Sequence, residues 1–121
     1  VLSDYYKDIS SGLLNNTIKG LKKFKIYKII KVPGVFEIPV TITKHINKVD
    51  GVVALGCVIK GKTPHFELIS SSVTNGLINL SILYKKPIGN GILTCLNKKQ
   101  ALARLGKGRE AAQATISILN Q

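Results

Sequence analysis

The sequence predicts an α/β sandwich built on a parallel sheet. Apolar residues fall at helical spacing in some stretches and in continuous runs in others, and the two kinds alternate along the chain. The run over residues 51–59 (GVVALGCVI) is apolar almost throughout, as a strand covered on both faces must be. Turn residues, above all Pro33-Gly34 and Pro87, separate the runs. A length of 121 residues fits one domain over 1–121.

Each element has its own signal. Val1-Leu2 reads as the tail of a first strand. Over residues 8–23, Ile9, Leu13, Leu14, Ile18 and Leu21 recur near helical spacing. Residues 25–32 (KIYKIIKV) are β-branched and aromatic and stop at Pro33-Gly34, which predicts a strand and a turn. Residues 37–48 read as a helix, with Pro39 tolerable only in its first turn. A long amphipathic helix over 65–84 ends at Lys85-Lys86-Pro87 and is followed by a strand over 88–95. Residues 97–105 and 109–119 read as two helices parted by Gly106-Lys107-Gly108. Right-handed crossovers would put helices on both faces of the sheet.

Composition bounds the function. Lys and Arg total 18 against 6 Asp and Glu, a formal net charge of +12, while 45% of residues are apolar. That apolar share excludes a disordered basic tail. A basic excess fits nucleic-acid or anionic-membrane partners. A surface drift toward Lys, Ile and Asn yields it equally, since there are 16 Lys, 16 Ile and 8 Asn but only 2 Arg. Cys57 and Cys95 lie in apolar runs without CxxC or Cys/His spacing, so buried free thiols, a reducing cytoplasm and no metal are expected. No apolar run reaches transmembrane length, no signal-peptide pattern opens the chain, and no membrane partner is expected. The chain opens at Val1-Leu2-Ser3 without a Met.

Ligands of open parallel sheets sit beyond the carboxyl ends of the strands. Three strand ends therefore matter: 33–37, 57–65 and 94–97. In the first, Glu37 falls near a helix N-terminus, where a carboxylate either simply complements the dipole or accepts ligand hydroxyls. The second, from Gly56 to Glu67, holds Lys60, Lys62, Thr63 and His65 where a strand gives way to a helix. Helix-start N–H groups, a hydroxyl and ammonium groups together suit a phosphate, although GxxxxGK[ST] is absent. His65 can serve as acid or base near neutral pH. His45, mid-helix among Thr43, Lys44 and Asn47, is read as surface. Arg104 suits a phosphate contact or a helix C-terminus. These residues alone name no reaction.

The blocks VPGVFEIP (32–39), ALGCVIKGKTPHFELIS (54–70), NGILT (90–94), QALARLG (100–106) and KGREAA (107–112) closely resemble the lumazine synthase family. The resemblance covers essentially the whole chain and implies a flavodoxin-like α/β/α sandwich with a four-stranded parallel sheet. It implies condensation of 5-amino-6-(D-ribitylamino)uracil with 3,4-dihydroxy-2-butanone 4-phosphate to 6,7-dimethyl-8-ribityllumazine, the penultimate step of riboflavin biosynthesis. No metal or organic cofactor is implied. By resemblance, His65 transfers protons, and Lys62, Thr63 and Arg104 hold phosphate. Tyr5, Val35, Phe36, Glu37, Cys57, Val58, Ile59 and Asn90 line the ribitylaminouracil site, and Lys107 and Glu110 lie near the substrates. Tyr5 stands where Phe is usual, Lys60 where Arg is usual, Cys57 where Thr is frequent, and Asn90 where many members have an aromatic. The links at Gly106-Lys107 and over 19–31 are shorter than the family's.

The resemblance further implies pentamers, in some members twelve of them in a 60-subunit shell, with active sites between neighbouring copies. Two other readings remain at this point. One is a non-catalytic flavin- or lumazine-binding scaffold of the same fold. The other is a basic nucleic-acid-binding module, against which stands the lack of any recognised binding motif; no nucleic-acid partner is expected.

Overall fold

The computed structural model describes residues 1–22 and 24–121. Four parallel strands form the sheet: β1 (Leu2–Ser3), β2 (Lys31–Val32), β3 (Val52–Ile59) and β4 (Ile88–Cys95). Their spatial order is β2-β1-β3-β4, the 2-1-3-4 order of flavodoxin-like sheets. The helices are α1 (Lys7–Leu21), α2 (Ile38–His45), α3 (His65–Tyr84), α4 (Lys98–Leu102) and α5 (Lys107–Leu119), with 3-10 turns at Val35–Glu37 and Ile46–Lys48 flanking α2.

The alternation of β3 explains the three layers. Leu55 and Cys57 point to one face and pack with Ile9, Leu13, Leu93, Cys95 and Ala101 of α1, β4 and α4. Ala54 points to the other face and packs with Ile38, Ile42, Val73 and Leu77 of α2 and α3. Both faces of the central strand are covered, which is why its sequence is apolar without alternation. The result is a three-layer α/β/α sandwich.

Start and stop signals account for the helix ends. Pro39 sits at the start of α2, where its missing N–H costs nothing. At the end of α3, Lys85 adopts a left-handed backbone (φ 53°). Its N–H donates to the Ile82 carbonyl, and the Lys86 N–H donates to the Ser81 carbonyl at 3.2 Å. These bonds satisfy carbonyls that the helix leaves over, and Pro87 prevents continuation. Asn97 caps α4 by accepting from the Gln100 N–H at 2.9 Å, and Gln100 Oε1 accepts from the Leu96 N–H at 2.8 Å.

Several expectations change. The helix expected over 37–48 is α-helical only over Ile38–His45 and tightens to a 3-10 turn over Ile46–Lys48. The strand expected over 25–32 contracts to Lys31–Val32, because its ladder partner β1 offers only Leu2 and Ser3. The helix expected over 97–105 stops at Leu102, and the next begins at Lys107 rather than 109, so Gly108 lies inside the first turn of α5. Gly108 is needed there: a Cβ would collide with the Leu13 carbonyl and Thr17 of α1. His45 is not a plain surface residue. It ends α2, half-buried, with Nδ1 shut away from solvent and without a hydrogen-bond partner among the described residues. Burial, then Lys28, Lys48 and Lys44, lowers its pKa. The first helix ends at Leu21; Lys23, the last residue of its expected span, lies outside the described residues.

Candidate active site

Three of the four strand ends converge on one edge of the sheet and carry most of the candidate residues. Beyond β1, Asp4 donates its N–H to the Val32 carbonyl at 3.0 Å, which fixes the exit of the chain beside β2. Tyr5 follows, 72% exposed, its ring set edge-on to Tyr6 at 4.8 Å between centroids. Tyr6 packs on the core, so Tyr5 presents its ring to solvent against a supported neighbour.

Beyond β2, Pro33-Gly34 turns the chain into Val35–Glu37, and the Glu37 N–H donates to the Gly34 carbonyl at 3.2 Å. Val35 is buried against Gly56, whose missing side chain makes room for it. Phe36 is 64% exposed. Glu37 stands at the N-cap of α2. Its main-chain carbonyl accepts from Thr41 Oγ1 at 2.8 Å, while its carboxylate has no hydrogen bond or ion pair among the described residues. A free carboxylate at a helix start is favoured by the dipole and can accept hydroxyl donors.

Beyond β3, the Lys60 N–H donates to the Cys95 carbonyl at 2.9 Å, binding the ends of β3 and β4 together. Gly61, Lys62, Thr63 and Pro64 form an exposed loop, and His65 opens α3. The His65 N–H donates to Thr63 Oγ1 at 3.4 Å. Lys60 Nζ lies 3.8 Å from Glu67 Oε1, each side chain about half exposed (50% and 58%). Cys57 is buried, and burial, then Cys95, pushes its thiol pKa up to about 12. A thiol so disposed stays protonated and is no nucleophile at neutral pH. Cys57 can therefore offer a ligand only backbone and apolar contact, and the side chains of Val58 and Ile59 have the same limits.

The remaining candidates lie on or just after other elements. Asn90 lies in mid-β4, opposite Ala54, and its side chain accepts from the Ile92 N–H at 3.1 Å. It is five residues short of Cys95, roughly 16 Å along the strand at about 3.3 Å per residue. Arg104 is exposed beyond α4; Lys107 and Glu110 occupy the first turn of α5. No hydrogen bond or ion pair joins these four side chains to Glu37, Lys62 or His65 among the described residues. The carboxyl-end loops lie open at the surface. Two hollows lie elsewhere: one of about 420 Å³ beneath residues 24–30 at the amino end of the sheet, another of about 440 Å³ beside Lys85–Asn90.

Two features escaped the sequence reading. Glu67 lay inside the strand-end block without a role; its signal was an acidic residue in a first helical turn two residues after His65. The second is the outer surface of α3, where Leu68, Ile78, Ile82 and Leu83 are exposed and only Val73 and Leu77 are buried. No cluster of His, Cys, Asp and Glu able to hold a metal occurs among the described residues. No described helix is long and apolar enough to cross a membrane.

Comparison with known proteins names this arrangement. The family model described as 6,7-dimethyl-8-ribityllumazine synthase matches residues 1–121. Proteins bearing that name include one from Cutibacterium acnes, 39% identical over 128 residues covering 98% of this chain and 77% of the relative. Another, from Bdellovibrio bacteriovorus, is 42% identical and covers 98% of this chain and 71% of the relative. A third, from Bartonella henselae, is 42% identical with 95% and 81% covered. The first alignment, 128 positions long, exceeds the 121 residues here, so this chain carries deletions relative to that protein. The chain belongs to the 6,7-dimethyl-8-ribityllumazine synthase family.

Proposed function

We propose that this chain condenses 5-amino-6-(D-ribitylamino)uracil with 3,4-dihydroxy-2-butanone 4-phosphate to give 6,7-dimethyl-8-ribityllumazine, inorganic phosphate and water. It is a transferase of riboflavin biosynthesis. The observation that carries the reading is a family match over residues 1–121 that includes every strand-end loop described above.

The chemistry sets the work for each residue. The 5-amino group adds to the ketone and water leaves, forming an imine. Phosphate is then eliminated, and the ribitylamino nitrogen closes the second ring with loss of a second water. Each step moves protons between nitrogen, carbon and oxygen, the task assigned to His65. Lys62 and Thr63 hold the phosphate, aided by the N-terminus of α3. Tyr5 and Phe36, both exposed, supply apolar and aromatic surface for the pyrimidine. Val35 shapes that wall, Glu37 accepts ribityl hydroxyls, and the backbone of Cys57, Val58 and Ile59 meets the ring edge. Fixing two substrates in one geometry is itself a large source of rate.

Asn90, Arg104, Lys107 and Glu110 reach the site from a neighbouring copy. Within one chain no hydrogen bond or ion pair among the described residues joins them to Glu37, Lys62 or His65, and this supports the division, as do the open strand-end loops. The family supports small-molecule substrates and oligomeric assembly in general. We propose a homopentamer, for which the exposed Leu68, Ile78, Ile82 and Leu83 of α3 offer apolar surface. A cytoplasmic setting suits two free cysteines. Purified protein given both substrates should release lumazine, seen by its absorbance and fluorescence, with one phosphate per turnover. No lumazine from a folded, assembled sample rejects the reading.

A further inference from the structure

The loop that carries Lys62 and Thr63 is spanned by an ion pair that the proposed chemistry does not use. Lys60 closes β3 and Glu67 lies in the first turn of α3, and their charged atoms meet at 3.8 Å across Gly61–Pro64. Lys60 is anchored through its main chain to the Cys95 carbonyl, so its side chain alone is free to change partner. The carboxylate of Glu67 occupies the positive end of α3, where an anion is favoured. It draws on the two sources of positive potential, the helix start and Lys60, that a phosphate in this loop would also use. The pair is half exposed, so the association is weak and exchangeable.

We propose that Glu67 sets the phosphate affinity of this loop, competing with the anion for Lys60 and for the α3 N-terminus, and so keeps the site from retaining the inorganic phosphate it releases. The proposal rests on the phosphate-binding reading of Lys62 and Thr63. Phosphate is a product as well as part of a substrate, and every gain in affinity for the leaving anion slows its departure. Glu67 is a specificity-determining residue in this account. It touches neither reacting atom, and Lys60 serves as a reserve cation released when the anion arrives.

Binding of inorganic phosphate to the intact protein, measured by calorimetry and by competitive inhibition against the phosphate substrate, tests this. Glu67→Gln keeps the shape and removes the charge. It should bind phosphate roughly two- to fivefold more tightly at low salt, the size expected for a half-exposed pair. The gain should shrink at high salt. Lys60→Gln should weaken binding, and in the Lys60→Gln background Glu67→Gln should give a smaller gain than it gives alone, since only the α3 N-terminus is then freed. Phosphate binding by Glu67→Gln that is unchanged or weaker, with Lys62→Gln weakening it, overturns the role of Glu67 and leaves the phosphate reading intact. Binding unaffected by Lys62→Gln removes the phosphate locus itself, and the proposal with it. Helix content of each variant, followed by circular dichroism, separates these results from loss of α3.

Discussion

Gly108 on α5 faces the main-chain carbonyl of Leu13 on α1 so closely that no Cβ fits between them. The same contact brings Thr17 Oγ1 against Gly108, while Thr17 donates to the Leu13 carbonyl at 2.8 Å. A second close approach, Gly20 against Ala112, lies further along the same two helices. The small residues let α1 and α5 pack nearly backbone to backbone, and this sets where Lys107 and Glu110 stand.

Gly108→Ala should therefore destabilise the fold, although alanine is the better helix former. Overpacking of this kind costs about 1–3 kcal/mol. Urea unfolding should show a lower midpoint with an unchanged slope. An equal or raised midpoint would mean that the two helices can part without loss.

Lys85→Gly should have the opposite sign. A non-glycine residue pays about 1 kcal/mol or more for a left-handed backbone. Lys85 adopts one at the α3 stop, with its N–H bonded to Ile82 and its side chain exposed. Glycine at this position should raise the unfolding free energy by up to about 1 kcal/mol, checked by the same titration.

The buried thiol of Cys57 makes two linked predictions. Its pKa rises from 9.0 to about 12 on folding. The folded state then holds a proton that the unfolded state gives up, so stability is intact below about pH 9 and falls as pH rises toward 12. Iodoacetamide at pH 8 should leave Cys57 unmodified in the native protein and label it in denaturant, read by mass spectrometry. Rapid native labelling would show the thiol to be accessible and ionised. His45 acts at the acid end: its pKa is lowered, so charging it below the ordinary histidine range opposes folding. His45→Gln should flatten the loss of stability between pH 7 and 5.

His65→Ala should lower kcat far more than it alters KM for either substrate, because proton transfer is needed in the transition state and not for binding. An unchanged kcat removes His65 from the chemistry.

Much of this architecture was legible in the sequence, and the parts that were not share a cause. The helix over 65–84 and the strand over 88–95 match their expected bounds, since their signals are local: Pro64 before one, Lys85 to Pro87 between them. The strand expected over 25–32 failed because pairing is decided by a distant partner, here the two residues of β1. Gly108 read as a linker because its reason for being glycine lies on α1, 95 residues away at Leu13. The strand-end candidates came from motif and position, whereas the Lys60–Glu67 pair needed the loop's geometry. The basic surplus divides in the same way. Lys19, Lys22, Lys25, Lys28, Lys44, Lys48 and Lys85 are exposed toward the amino end of the sheet, in the last turns of α1 and α2 and on the segments that follow the helices, opposite the candidate site.

In the proposed assembly one copy supplies His65 and its neighbour supplies Arg104. Subunit mixing tests it directly. His65→Ala and Arg104→Ala should each be slow when assayed alone at limiting phosphate substrate. Coexpressed in one assembly, the two variants should regain lumazine formation, because random pairing leaves about a quarter of the sites with both residues intact. Mixed assemblies as slow as their parents, with coassembly confirmed by native mass, would contradict the shared site.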